Sequence, residues 1–179
     1  NIMALNGGKA AATYVNYGKV ETKGFSLSAR YNYSQWLSVG GNFSQMNSRD
    51  NMKTAMGSTM PNIAYRERMP NLPYMFADSD INFYWHGVGR KGNVLAITYD
   101  NQYTHSFCYY SANIGSKNND YMIPDQFSHN ITLSYGINNG RYNLSFECRN
   151  ITNAMLYDNF SLQKAGRAFY GKIRVYFGN

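Results

Sequence analysis

The three histidines are the side chains best suited to acid–base chemistry, and their positions argue against catalysis. His86, His105 and His129 fall on separate predicted strands or turns, whereas a hydrolase needs a serine, a histidine and a third polar group side by side. His105 and His129 also share the parity of the apolar residues around them, which is typical of the border of an apolar surface. The sequence therefore predicts no enzyme.

Methionine is the second side chain that could bind a ligand. Six of the nine methionines lie between Met46 and Met75. Thioether sulfur is a soft ligand that could favour copper, but methionine also supplies adaptable apolar contact surface. We favour packing within a loop and lining of a ligand mouth, and we predict no metal and no cofactor. The predicted ligand contacts in loops are Met52, Met56, Met60, Tyr121 and Tyr157.

Neither the cysteines nor the basic residues form a recognisable site. Cys108 and Cys148 make no metal-binding motif and occupy apolar positions of candidate strands, so we predict free thiols, buried or facing lipid, rather than a disulfide. The net charge is +7 and the pI about 9.4. The lysines and arginines are scattered and form no basic run, so we predict a solvated polar surface and no nucleic-acid partner.

The elements that must position these residues are strands, because apolar residues recur at every second place. Tyr142, Leu144, Phe146 and Cys148 alternate with polar residues, and no segment has the pattern of an amphipathic helix. The alternation predicts about seven strands, at residues 24–33, 37–44, 80–85, 95–107, 127–137, 141–149 and 169–177.

Composition and connection lengths favour a membrane barrel over a soluble β-sandwich. Aromatic residues make up 16% of the chain and charged residues only 15%, against about 25% charged in soluble domains. No apolar run approaches the roughly 18 residues of a membrane helix. The predicted connections alternate between short and long, as periplasmic turns and extracellular loops do in outer-membrane barrels. We therefore predict an all-β fold, an antiparallel up-and-down meander that forms part of a transmembrane outer-membrane β-barrel.

In such a barrel, the charged residues of polar parity should face the lumen. An arginine or lysine on the lipid side at mid-bilayer costs about 2–4 kcal/mol, whereas the lumen is polar. These residues could contact a plug or simply hydrate the wall, and the sequence leaves both open. They are Arg30, Asp100, Arg141, Glu147, Arg149, Lys172 and Arg174.

The C-terminal third resembles the TonB-dependent receptors. The resemblance lies in a strand that ends in Asn150-Ile151-Thr152-Asn153, a Tyr157-Asp158 loop, and Gly166-Arg167-Ala168-Phe169-Tyr170 at the start of an aromatic-ended last strand. The segment Tyr17-Gly18-Lys19-Val20-Glu21-Thr22-Lys23-Gly24-Phe25 is similar to another barrel strand of such receptors.

The resemblance implies a receptor that imports a scarce nutrient across the bacterial outer membrane. It would combine a barrel of about 22 strands with an N-terminal plug, and an inner-membrane TonB complex would supply energy through the plug. Residues 1–179 would be the C-terminal portion of the barrel, in contact with outer-membrane lipid, with the C-terminus in the periplasm. No signal peptide is visible at residues 1–12, so we expect a mature chain or a fragment.

Two other functions stay open on the sequence. A passive porin or structural outer-membrane barrel needs neither plug nor energy coupling. A soluble carbohydrate-binding β-sandwich also shows alternating strands. In the sandwich, the rows of Tyr, Leu and Phe would meet a second sheet, whereas in a barrel they would face outward.

Overall fold

A computed structural model gives the fold of residues 2–6, 9–13, 18–55, 57–109, 119–159 and 162–177. Seven long strands form one antiparallel sheet in which each strand pairs with the next long strand along the chain. They are β3 (Val20–Asn32), β4 (Leu37–Asp50), β5 (Met75–His86), β6 (Val94–Thr104), β9 (Gln126–Ile137), β10 (Tyr142–Arg149) and β13 (Ala168–Val175). The predicted seven-stranded meander is confirmed.

Three small hairpins accompany the sheet. They are β1 (Ile2–Asn6) with β2 (Lys9–Thr13), β7 (Phe107–Cys108) with β8 (Met122–Ile123), and β11 (Tyr157–Asn159) with β12 (Leu162–Gln163). A 3-10 turn covers Asn119–Tyr121. The part of the chain that the structure describes contains no helix with the length and hydropathy needed to cross a bilayer.

The strand register sorts the side chains onto one apolar face and one polar face. Directly paired residues share a face, so continuous apolar rows cross the sheet. One row is Tyr31, Val39, Ile81, Tyr99, Ile131, Cys148 and Phe169; the next is Leu37, Phe83, Ile97, Leu133 and Phe146. The alternating parity read from the sequence is thereby confirmed on every long strand.

The apolar face is not covered by a second layer of protein. Leu27 is 64% exposed, Phe146 53% and Ile173 76%. Among the described residues, the buried apolar side chains are Phe107, Cys108, Ile123, Cys148 and Leu156, and most of these belong to the connections rather than to the sheet. A soluble sandwich would bury these rows in a dry centre, so the structure argues against that alternative.

The connections alternate in length as predicted. Residues 33–36, 87–93 and 138–141 form tight turns at one edge. The connections at the other edge are long, covering residues 51–74, 105–125 and 150–167, of which the structure describes all but 56, 110–118, 160 and 161. Asn138, Asn139 and Gly140 all have positive φ angles, which asparagine and glycine tolerate better than other residues. The Asn-Gly pair therefore ends β9 in a hairpin, as the sequence indicated.

The three tight turns are also staggered. β4 begins at Leu37, opposite Phe83, while β5 continues to His86. β6 begins at Val94, opposite Gly136, while β9 continues to Ile137. Both shifts run in the same direction across the sheet, which is the shear that tilts strands in a closed barrel.

One predicted strand is too long. The sequence placed Phe107 in the apolar row of the strand at 95–107, but β6 ends at Thr104. Asp125 accepts a hydrogen bond from the Ser106 backbone at 2.6 Å and lies 2.8 Å from His105 Nδ1. These contacts turn the chain, and Phe107 is 4% exposed inside the β7–β8 hairpin. Phe107 is thus a loop-core residue.

Candidate functional site: the polar wall and its long loops

The polar face carries an ion pair that spans three strands. Arg30 on β3 donates to both carboxylate oxygens of Asp80 on β5, at 2.8 and 3.0 Å. Gly40 on β4 lies beneath this pair, and a Cβ atom there would come within 2.7 Å of Arg30 Nη2. Asn82 Nδ2 donates to Asp80 at 2.5 Å, and Asn82 Oδ1 accepts from the Thr98 hydroxyl at 2.8 Å. This network fixes a hydrophilic surface on the middle strands.

A second cluster brings together three of the predicted wall residues. Asp100, Glu147 and Arg149 line one cavity of about 430 Å³ at the long-loop end of the polar face. Arg149 donates to both oxygens of Glu147, at 2.6 and 3.3 Å, and its guanidinium lies 4.7 Å from the Tyr170 ring centre. Asn130 donates to Asp100 at 2.7 Å. The cavity is polar, and it presents charges of both signs beside an aromatic ring.

The other predicted wall charges lie nearer the tight-turn edge. Lys172 and Arg174 sit on β13 opposite Ser145 and Asn143, on the polar face. Arg174 donates to the Tyr176 hydroxyl at 3.0 Å. Arg141 lies in the β9–β10 turn with its guanidinium 5.9 Å from the Tyr142 ring centre. They do not line the cavity around Arg149, so the predicted wall residues share a face without forming one site.

Asn150, which the sequence indicated only as part of the Asn-x-Thr-Asn motif, holds the loop that closes this cavity. Asn150 is 3% exposed; its side chain accepts from the Ala154 backbone N–H at 2.9 Å and donates to the Ala154 carbonyl at 2.8 Å. Asn153 Oδ1 accepts from the Arg167 N–H at 2.9 Å. Both asparagines have positive φ angles. The Asn-x-Thr-Asn corner is therefore a pair of caps that brings Leu156 and residues 164–166 to the cavity.

Gln126 fastens the same loop from the neighbouring strand. Its side-chain amide exchanges two hydrogen bonds with the Tyr157 backbone, one at 2.5 Å and one at 3.1 Å. The side chain thus imitates a strand partner and positions Tyr157, one of the predicted ligand contacts. The Tyr157 hydroxyl points to Met155 Sδ at 3.4 Å.

The remaining predicted ligand contacts do not converge on one pocket. Met46 and Met75, which bound the methionine-rich segment and were not predicted contacts, belong to strands β4 and β5. Met60 is 71% exposed, and Met52 lies against Gly18. Tyr121 pairs with Tyr109 at 6.1 Å between ring centres, and Met56 lies outside the described residues.

Asp50 organises the first long loop, and sequence reasoning missed it. The residue is fully buried; its carboxylate accepts from the Met52 N–H at 2.8 Å and from Asn62 Nδ2 at 2.8 Å. The Met52 contact is a local turn that aspartate commonly forms, and this preference was a readable signal. The contact with Asn62 depends on how the loop returns, which no local pattern records.

The histidines are dispersed, as the sequence predicted. His129 Nδ1 lies 2.7 Å from the Tyr99 hydroxyl, and His86 Nε2 lies 3.2 Å from the Gln35 carbonyl. His105 pairs with Asp125 at the base of the second long loop. Among the residues that the structure describes, no group of three or more His, Cys, Asp or Glu side chains could hold a metal ion.

We expect both cysteines to resist thiol reagents until the barrel unfolds. Cys108 and Cys148 are free thiols with 5% and 8% exposure, and burial raises the pKa of the Cys108 thiol. Fewer thiolates form at neutral pH, and the thiolate is the reactive species. Maleimide labelling of Cys108 and Cys148 at pH 7 should be slow in the folded protein and complete at both residues in denaturant. Rapid labelling of either cysteine in the folded protein would contradict this expectation.

Comparison with known proteins agrees with the geometry. The family model described as TonB dependent receptor-like, beta-barrel matches residues 2–151. A search of curated proteins gave no match. The family is one of outer-membrane transporters rather than enzymes. The match covers most of the chain and the fold agrees with it, so the chain belongs to the TonB-dependent receptor-like β-barrel family.

Proposed function

We propose that this chain supplies wall and extracellular loops to a receptor that imports a scarce nutrient across the outer membrane. One observation carries the proposal: an exposed apolar face and a polar, charged face lie back to back on a sheet whose long loops all leave at one edge. A bilayer accepts the first face and an aqueous lumen the second.

The height of the apolar face supports this placement. About ten residues separate Lys23 on β3 from Tyr33 directly after that strand, and about ten separate Phe127 from Ile137 on β9. At about 3.3 Å per residue and a tilt near 40°, each span is roughly 25 Å high. Tyr33, Trp36 and Trp85 stand near the tight turns, at the level where an aromatic girdle meets one set of headgroups.

Residues 1–179 would be the C-terminal portion of the barrel, completed by earlier strands and filled by a plug. In the described sheet, β3 and β13 each have only one hydrogen-bonded neighbour. A bilayer does not tolerate such open edges, so further strands of the same receptor must pair with them. In this orientation the tight turns and the C-terminal end of β13 lie in the periplasm.

The polar wall would face the plug, and the plug would transmit energy from the TonB complex. Arg149, Glu147 and Asp100 are the wall groups best placed to meet it or a passing solute, because they line an accessible cavity. Ligand contact belongs to the long loops, where Met52, Met56, Met60, Tyr121 and Tyr157 remain our candidates.

Growth under single-nutrient limitation tests this function. A strain lacking the receptor gene would be competed against its parent in media limited in turn for iron, haem, cobalamin, an oligosaccharide or a peptide source. We expect a defect in one medium, reproduced by removing the inner-membrane energy complex. Equal growth throughout, together with slower passive entry of small polar solutes, would contradict import and favour a porin.

A further inference from the structure

A basic surface lies on the outer side of the sheet, directly beyond the long-loop end of the apolar face. Lys23 lies two residues before Phe25, on the apolar parity of β3, and Arg49 occupies the same parity on β4, opposite Glu21. Arg68 is paired with Arg49 and therefore shares its face. We call this set, with Lys19 and Arg66, the rim cluster.

The members of the rim cluster interact around one carboxylate. Lys23 forms an ion pair with Glu21 while keeping 79% of its own side chain exposed. Lys19 and Arg66 also act electrostatically on Glu21. Arg49 Nη1 donates to the Arg66 carbonyl at 2.6 Å. Three of the five cations thus act on Glu21, and the five together outnumber Glu21 and its loop neighbour Glu67, so the cluster keeps a positive excess.

The cluster also lies at one height. Because the rows are staggered, the membrane border that crosses β9 at Phe127 crosses β3 near Lys23, about ten residues from Tyr33. Arg68 stacks 3.8 Å from the Tyr74 ring centre, and that ring meets His105 at 4.7 Å. Aromatic and cationic groups together are typical of the level of lipid headgroups.

From this geometry, and given the membrane placement proposed above, we infer that the rim cluster binds the phosphate of an outer-leaflet lipid. Arginine and lysine both bind phosphate, and arginine does so through two parallel hydrogen bonds. The acyl chains of such a lipid would lie against the exposed Phe25 and Leu27. Lipid and protein would then match in both charge and hydropathy.

The test uses the complete receptor in zwitterionic nanodiscs, with diphosphorylated lipid A as the probe. Lys19→Gln/Lys23→Gln removes two exposed cations. Each cation contributes about fivefold in affinity at a charged membrane surface, so the affinity for lipid A should fall roughly 25-fold. Arg90→Gln/Lys91→Gln removes two exposed cations from the tight turn at the opposite edge and should change nothing. Glu21→Gln should raise affinity about fivefold, a gain that misfolding cannot produce.

Two further probes identify the source of the phosphate. Dephosphorylated lipid A should bind no better to the receptor than to the Lys19→Gln/Lys23→Gln variant, and millimolar inorganic phosphate should compete only weakly. Equal affinity of the two double variants, no gain for Glu21→Gln, or equally tight binding of free phosphate would overturn the inference. Nutrient uptake by the same variants reports separately on the transport function, because the rim cluster lies outside the polar wall.

Discussion

Leu133→Arg is expected to lower the free energy of unfolding of the membrane-inserted receptor by about 2–4 kcal/mol, the cost of a cation at mid-bilayer on the lipid side. Leu133 lies in the middle of β9, between Ile97 and Phe146 on the apolar face. Its side chain is already 45% exposed, so the substitution removes little packing against protein. The expected loss of unfolding free energy therefore comes from placing a cation in lipid, and not from lost packing against protein.

Thr132→Arg is the matched control, because the adjacent residue points to the other face. Thr132 pairs with Thr98 and with Glu147, so an arginine there would enter the polar side beside a carboxylate. Denaturant unfolding in lipid vesicles should separate the two variants, with Thr132→Arg close to the parent. Equal stability of the two variants would contradict a lipid-facing apolar row. It would indicate that both faces of the sheet contact water.

The contrast between these neighbours shows why the sheet was predictable from the sequence. A residue's face depends only on its parity along a strand, so Leu133 and Thr132 could be assigned to opposite faces from local sequence alone. The turn at Asn138-Asn139-Gly140 was equally readable, because its residue types match its positive φ angles. Local residue types were therefore sufficient to predict the alternating strands of the sheet and this turn between them.

The loops were less predictable because their contacts join residues far apart in sequence. Phe107 follows a strand and keeps its parity, yet Asp125 turns the chain before Phe107 can join the sheet. Gln126 finds its partner at Tyr157. The alternation of apolar residues along a strand carries no information about such pairings. The loops of the candidate site are nevertheless positioned by these long-range pairings. The polar wall was therefore predicted as a face, and its cavity emerged only from the fold.

Asn150→Ala is expected to destabilise the loop of residues 150–167 by about 3 kcal/mol and to impair nutrient uptake. The substitution leaves the part-buried N–H and carbonyl of Ala154 without their partner, at about 1 kcal/mol each, the lower end of the range for an unsatisfied group. It also places alanine at a φ of 49°, which costs about 1 kcal/mol more than asparagine or glycine. Lys164 and Leu156, which close the cavity around Arg149, should then become mobile.

Asn150→Gly separates the two causes, since glycine loses the hydrogen bonds but tolerates the positive φ. Hydrogen exchange across residues 150–167 should rise most in the alanine variant, less in the glycine variant, and least in Asn150→Asp, which keeps the acceptor for Ala154. Uptake should fall in the same order if the loop positions a ligand or the plug. Unchanged exchange in the alanine variant would contradict this prediction and would show that Gln126 on β9 and Asn153 hold the loop without the Asn150 cap.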